Sequence, residues 1–334
     1  MTTLKITKFG GGLALEYGHV KLALDTGMNK ETTLLSHSHA DHLAGIQKAY
    51  RVIATAGTIE TLHARGYKVD AKIDTIGIGE SIGQLGVKIT ALNAGHVLGS
   101  TMFLLEFDDD LTVLYTGDFN AVDSLVHTAA NPVRADVLIS EATYGTPKWV
   151  FPDRREVYKE VLAKAEEVIQ NGRIPVFQAY SLGKSQEAIA LLHSGGFNVV
   201  TGNMQIDSVS RVYKKHGVDL RHLSLRSRGA RDQIEDGCAI VASSRRHMMK
   251  GIQTEYGHSY ARDLEARMDH FSLSGWTLGE AGNRGFPLSA HTDFPGLIDF
   301  AKKVKPRMVY TFTSNAMTLS THLTEKGFNA VPLE

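Results

Sequence analysis

The stretch Ser36-His37-Ser38-His39-Ala40-Asp41-His42 constrains this chain more than any other. It packs four metal-competent side chains into six residues. The apolar run Thr32-Thr33-Leu34-Leu35 before it reads as a buried strand, and Leu43-Ala44-Gly45-Ile46 after it reads as the start of a helix. The ligands therefore sit on a strand-to-helix loop at the rim of a sheet. Side chains alternate along an extended segment, so His37 and His39 point the same way and can share one metal. Asp41 and His42 lie past the turn and suit a second. Imidazole nitrogens with carboxylate oxygens are the ligand set of catalytic Zn²⁺ sites. A histidine-rich surface loop without metal is the competing reading, and the partners that later segments supply count against it.

At 334 residues the chain can bury a full core and hold two domains. Lys+Arg and Asp+Glu are both 36, so nothing global marks a nucleic-acid binder, and such a partner needs a local basic patch. Cys238 is the only cysteine, which excludes an internal disulfide and suits a reducing cytosol. Met1-Thr2-Thr3-Leu4-Lys5 does not read as a signal peptide. No apolar run approaches the ~20 residues that span a bilayer. The expectation is a soluble, cytoplasmic, globular protein.

Short strands are predicted at 4–9, 12–16 and 20–24, the last ending in Asp25. That carboxylate could cap a turn or orient a ligand from behind. A strand at 52–55, a helix at 58–63 and a polar hairpin over 68–87 follow. The strand 87–92 leads into Asn93-Ala94-Gly95-His96-Val97-Leu98-Gly99, a loop whose glycines allow close backbone approach to His96. Strands 102–107 and 111–116 pair across Asp108-Asp109-Asp110 and lead to Gly117-Asp118, where one carboxylate could bridge two metals. Strand 137–140 ends in Glu141, a costly place for a charge without a partner.

From about residue 148 helices (154–170, 184–193, 205–215) alternate with strands (174–180, 197–201, 239–244), the pattern of a small parallel-sheet domain. Within it the turn Tyr180-Ser181-Leu182-Gly183-Lys184 either starts a helix or holds a phosphate through Ser181, Lys184 and backbone N–H groups. Arg226, Arg228, Arg231, Arg245, Arg246, His247 and Lys250 form solvated faces or a track for a phosphate backbone. Leu273-Ser274-Gly275-Trp276-Thr277 reads as the return to the first domain. Ser289-Ala290-His291-Thr292-Asp293 then gives a further histidine loop before a helix at 294–304 and a strand at 309–312.

The His37/His39/Asp41/His42 pattern, followed in order by His96 and Asp118, resembles the metallo-β-lactamase superfamily. Glu141 and the Ser-Ala-His-Thr-Asp run at His291 resemble motifs of its β-CASP branch, which acts on nucleic acids. The resemblance implies an α/β fold: an αββα metallo-β-lactamase sandwich over 1–147 and 271–334, with a β-CASP α/β cap inserted at 148–270. It implies one metal on His37, His39, His96 and Asp118, and a second on Asp41, His42 and Asp118. One or two Zn²⁺ per chain are expected, with Mn²⁺ as the alternative. Asp41 would orient the attacking hydroxide, His291 held by Glu141 would act as general acid, and Asp25 would support a ligand from behind.

One departure bears on substrate. RNA-acting members carry a histidine at the end of the strand after the His291 helix, and alignment puts Thr313 there. The 180–187 turn and His291-Thr292-Asp293-Phe294-Pro295-Gly296-Leu297 also look more like DNA-acting members. The expectation is a zinc-dependent nuclease, a DNA exonuclease. The alternatives are an RNA-processing endonuclease or 5′ exonuclease and, outside enzymes, a catalytically weak nucleic-acid-binding subunit. Thioester or lactam hydrolysis is disfavoured because those relatives lack Glu141, His291 and the cap.

Overall fold

The computed structural model describes residues 3–29, 31–84, 86–279 and 285–333; Met1 and Thr2 of the N-terminal stretch lie outside them. The chain forms two compact units: Met1–Asp123, His127–Val150 and His291–Glu334 in the first, Ser124–Val126 and Phe151–Ala290 in the second.

The first unit begins with β1 (Lys5–Phe9), β2 (Gly12–Tyr17), β3 (Val20–Leu24), β4 (Thr32–Leu34) and β5 (Arg51–Ala54), then α1 (Ala56–Ala64) and β6 (Lys72–Thr75). The strands form one sheet in that order, antiparallel through β3 and parallel from β3 to β6. Next come β7 (Ser81–Gln84), β8 (Val87–Asn93), β9 (Thr101–Phe107), β10 (Thr112–Tyr115) and β11 (Val137–Glu141). The chain then enters the second unit with α2 (Arg154–Gln170), β12 (Ile174–Gln178), α3 (Lys184–Ser194), β13 (Val199–Thr201), α4 (Met204–Lys215) and β14 (Leu223–Ser224). It continues through α5 (Ala230–Asp236), β15 (Ala239–Ala242), α6 (Arg245–Tyr256), α7 (His258–Ala266), β16 (Met268–Leu273) and β17 (Gly285–Phe286). It returns to the first unit with α8 (Phe294–Val304), β18 (Met308–Phe312), α9 (Ala316–Glu325) and β19 (Ala330–Pro332).

Period-two alternation builds the layers of the first unit. Its second sheet runs β19-β18-β11-β10-β9-β8-β7. Val113, Tyr115, Val137 and Ile139 turn inward to Leu13, Leu15, Leu24 and Leu34 of the first sheet. Leu114, Leu138 and Val309 turn outward to Leu297, Ala301 and Val304 of α8 and to Leu319 and Leu323 of α9. On the far side, Leu35, Val52 and Ala54 pack on Ile59 and Leu62 of α1. The result is the expected αββα sandwich. Every residue of β11 is buried because apolar matter covers both its faces.

In the second unit β14-β13-β15-β12-β16-β17 form a sheet in which every pair is parallel. Parallel sheets need covering on both faces. Ile174, Val176, Val200, Ile240 and Ala242 pack on apolar residues of α5, α6 and α7. Helix α2 is built for its place: Asp153 caps it by accepting from Arg155 N at 2.8 Å, and Val157, Val161, Ala165 and Val168 bury one stripe. A charged triad closes the unit, with Arg154 Nη2 2.9 Å from Glu187 Oε2 and donating to Ser289 O, and Tyr158 OH donating to Glu187.

Three expectations are corrected. No α-helix follows the histidine loop. Ala40–His42 and Ile46–Lys48 form 3₁₀ turns, and Gly45 lies between them at φ +65°. Gly27 N donates to Ala44 O at 2.9 Å, which holds the segment against the Asp25-Thr26-Gly27 loop instead of letting it coil. The polar region 68–87 is no hairpin, because β6 pairs with β5 while β7 pairs with β8 in the other sheet. The return to the first unit falls at His291 rather than near 271, because β16 and β17 complete the second unit's sheet beside β12. Helices α5, α6 and α7 also lie where the sequence reading named only basic residues. Among the described residues no helix is long and apolar enough to cross a membrane.

Candidate metal centre

The candidate ligands of the first unit lie in loops and turns that follow strands. Leu35 N still donates to Ile53 O at 3.0 Å, so the chain stays paired until Ser36 and then departs with His37 and His39. Ser36 O accepts from Thr101 N at 2.9 Å, Arg65 donates to Ser38 O, and Ser38 Oγ lies 2.9 Å from Thr61 Oγ1. His96 is fixed in its turn by Ser100 Oγ, which accepts from His96 N at 3.0 Å and Val97 N at 3.1 Å. Gly117, at φ +51°, brings Asp118 in beside Ser36; a β-carbon there would lie 2.6 Å from Ser36 Cβ, so only glycine fits.

The ring nitrogens converge. His39 Nδ1 lies 3.0 Å from His37 Nε2 and 3.1 Å from His96 Nε2. Asp118 Oδ2 lies 3.6 Å from His37 Nε2 and 3.8 Å from His96 Nε2. These four side chains can meet one cation. Tetrahedral zinc with bonds of about 2.0–2.1 Å sets its nitrogens roughly 3.3 Å apart, close to what is seen. His37 is fully buried; burial and the neighbouring His42 and His96 hold it well below the ordinary imidazole range, neutral and able to ligate. The donor set fits a divalent metal.

Asp118 Oδ2 also lies 3.3 Å from His42 Nε2 and 3.9 Å from His291 Nε2. Burial alone would raise the Asp118 carboxyl, but His42 and His291 outweigh it and keep it well below the usual carboxylate range. Burial likewise works against charge on His42, yet Asp118 and Asp25 carry it well above the ordinary value. Asp41 is 3.8 Å from His42 Nε2, with a largely exposed carboxylate. A second cation held by Asp41, His42 and Asp118 would compete with that proton.

Asp25, at φ +52°, occupies a backbone region that non-glycine residues seldom adopt. It accepts from Ser36 N (2.6 Å), Ser36 Oγ (2.5 Å) and Tyr115 OH (2.7 Å), and lies 2.7 Å from His42 Nδ1. It therefore fixes the ring that faces Asp118. On the other side, Glu141 Oε1 accepts from Phe119 N at 2.7 Å, and Glu141 Oε2 is 3.0 Å from His291 Nδ1. Thr292 N donates to Phe119 O at 3.0 Å, which places His291 beside Asp118. Thr313 follows the strand neighbour of Glu141; its hydroxyl accepts from Ala142 N at 2.9 Å, and its φ is +76°.

The structure thus brings together His37, His39, Asp41, His42, His96, Asp118, Glu141 and His291, with Asp25 behind them. Ser36, Tyr115 and Arg65 are supports the sequence reading missed. Tyr115 carried a usable signal, an inward-facing phenol in a buried strand that needs a partner for its hydroxyl. Ser181 and Lys184 belong to the second unit. Ser181 Oγ donates to Gln205 Oε1 at 2.7 Å, and Lys184 Nζ packs 4.6 Å from the Tyr180 ring centre. Burial pushes the Lys184 ammonium down to about 8, with Glu187 opposing.

Residues 19–174 match the family described as Beta-lactamase superfamily domain. The chain is 29% identical over 330 residues, 97% of its length, to a probable DNA ligase of Opitutus terrae, of which the match covers 30%. It is 38% identical over 126 residues to cleavage and polyadenylation specificity factor subunit 3 of Dictyostelium discoideum, covering 36% of this chain and 16% of that one. The chain thus spans a third or less of these relatives. A crystal structure of a protein of unknown function from Enterococcus faecalis V583 shares the fold, with TM-score 0.63 and 11% identity over 100% of this chain and 98% of that one. Residues 19–174 thus carry a beta-lactamase superfamily domain, and the histidines converging on Asp118 between αββα layers, together with these relatives, are consistent with the β-CASP branch of that superfamily.

Proposed function

We propose that this chain is a metal-dependent phosphodiesterase that hydrolyses nucleic acid, acting on DNA as an exonuclease. The observation that carries the reading is the pairing of a three-histidine, one-aspartate cluster, buried except for a half-buried His39, with a Glu141-held His291 that faces the same Asp118 oxygen. His37, His39, His96 and Asp118 would hold one ion, and Asp41, His42 and Asp118 a second. Such ions supply a water acidic enough to attack at neutral pH and polarise the phosphoryl oxygens. Asp41 reaches solvent and orients the attacking water. Glu141 fixes His291 through Nδ1, which leaves Nε2 to give a proton to the leaving oxygen. Asp25 and Tyr115 keep His42 aimed at Asp118 while charge builds.

The preference for DNA rests on Thr313 in the place where RNA-acting members carry histidine, and on the match of nearly the whole chain to 30% of a protein named a probable DNA ligase. A second reading, RNA cleavage, is favoured by the 38% identity over 126 residues to a cleavage and polyadenylation specificity factor subunit. One assay separates them: end-labelled single-stranded DNA and RNA of one sequence, with metal content measured on the same preparation. Stepwise shortening of DNA by protein holding at least one zinc, abolished by chelator and restored by zinc, is the expected result. Preferential RNA cleavage transfers the proposal to the second reading. Metal-replete protein that cleaves neither overturns both.

A further inference from the structure

The second unit has a crevice that the proposed chemistry does not use. It lies at the C-terminal ends of β13, β14 and β15 and has a volume of about 380 Å³. Parallel sheets bind ligands at this edge. Arg226, His247 and Lys250 line it, and α4 and α6 begin at it. Asn203 caps α4 by position, yet its Oδ1 accepts from Ser243 N at 2.6 Å and makes no side-chain bond to the helix's own first turn. Arg226 Nε is held 3.0 Å from Glu255. Among the described residues His247 and Lys250 have no carboxylate partner, and no carboxylate lines the crevice.

Lys250 also lines a neighbouring, shallower depression with Arg245, Arg246 and Gln253. There Arg245 pairs with Glu265 at 2.7 Å, while Arg246 has no ion-pair partner among the described residues. Positive charge therefore continues from one depression to the next through a single shared lysine. Composition does not produce this, because the whole chain is neutral.

We propose that the crevice is a backbone-phosphate subsite for a single strand of nucleic acid, an inference that rests on the nuclease reading above. Lys250 and His247, without carboxylate partners among the described residues, Arg226 beside them and the start of α4, which Asn203 leaves uncapped, suit phosphate. A mononucleotide would fill one depression, whereas a strand uses both. A dinucleotide cofactor calls for an acidic group on its ribose, and the crevice has none. Met204, 58% exposed with its sulfur 2.7 Å from Arg226 Nη1, offers the apolar surface a base needs beside its phosphate.

The test uses the full-length, metal-replete chain and a fluorescent 30-nucleotide thymidylate strand with phosphorothioate linkages, which resist hydrolysis. Anisotropy titrations are run across a series of KCl concentrations. The double variant Arg226→Gln/Lys250→Gln is expected to bind about tenfold more weakly, with a slope of log affinity against log salt shallower by about 1.4, since each single-strand contact contributes roughly 0.7. Lys250→Gln alone loses about half of that slope, and Lys302→Gln, on α8, changes neither quantity. Equal affinity and slope in wild type and double variant, with cleavage of the unmodified strand intact, overturns the subsite and leaves the nuclease reading standing. Displacement of the strand by adenosine monophosphate from wild type alone also overturns it, in favour of a mononucleotide site. A wild type that neither binds this strand nor cleaves the same strand with ordinary phosphodiester linkages overturns both readings together.

Discussion

Both candidate sites lie beyond the C-terminal ends of strands, and the two units treat charge in opposite ways there. In the first unit the polar groups are buried and interlocked: Asp25 has four partners and Asp118 faces three histidines within 3.8 Å. In the second, the cations at the sheet edge are exposed, and His247, Lys250 and Arg246 are unpaired among the described residues. Buried, mutually satisfied acceptors suit a small ion that stays. Exposed cations suit a long anion that must come and go, because water screens them and salt competes. On the two proposals above, the contrast separates a centre for chemistry from a surface for grip.

The largest expected effect tests the first half of that contrast. Asp118→Ala or His39→Ala should lower hydrolysis on the order of 10³-fold or more, as several kcal/mol of charge stabilisation is lost, with circular dichroism unchanged. A rate within tenfold of wild type would mean that the buried cluster is not the reacting centre. His291→Ala should cost about 10²–10⁴-fold on a strand, whose leaving oxygen needs a proton. The same variant should lose less than about tenfold on bis(4-nitrophenyl) phosphate, whose leaving group does not; equal losses would remove His291 from the acid role.

The next two tests ask whether the second unit also relies on buried charge. Glu187→Ala leaves Arg154 uncompensated and should destabilise by roughly 3–5 kcal/mol in urea unfolding. Lys184→Met gives a pH signature. Folded Lys184 titrates near 8 against 10.5 for a free lysine, so between those values the unfolded chain binds the extra proton and stability rises with pH. Wild type should therefore gain up to roughly 3 kcal/mol relative to Lys184→Met between pH 8 and 10.5. A constant difference between the two would show that the ammonium is hydrated in the native state.

The metal ligands were legible because their residue types are uncommon and fall at strand ends, where a buried charge needs a reason. His37 and His39 on an extended segment, Asp118 after a glycine and Glu141 at the end of an apolar strand all carried that signal. Their supports were not legible. Ser36, Tyr115 and Arg65 are ordinary residues whose roles depend on contacts 11, 90 and 27 positions away. The turn after His42 was misread because apolar spacing suggests a helix, while Gly45 and the Gly27–Ala44 bond impose something tighter. The second unit's boundary was misplaced because β17 is two residues long and reveals itself only by pairing with β16.

The neighbouring strands β11 and β18 have a consequence for synthesis. They lie side by side, yet nearly all of the second unit, Phe151–Ala290, is translated between them, and His291 follows Glu141 by 150 positions. At about 5–20 residues per second a ribosome spends roughly 8–30 s on that interval. Throughout it the nascent chain carries an apolar strand with one side unzipped, the condition under which edges pair with the wrong partner. The cell therefore meets this protein first as a half-closed sandwich.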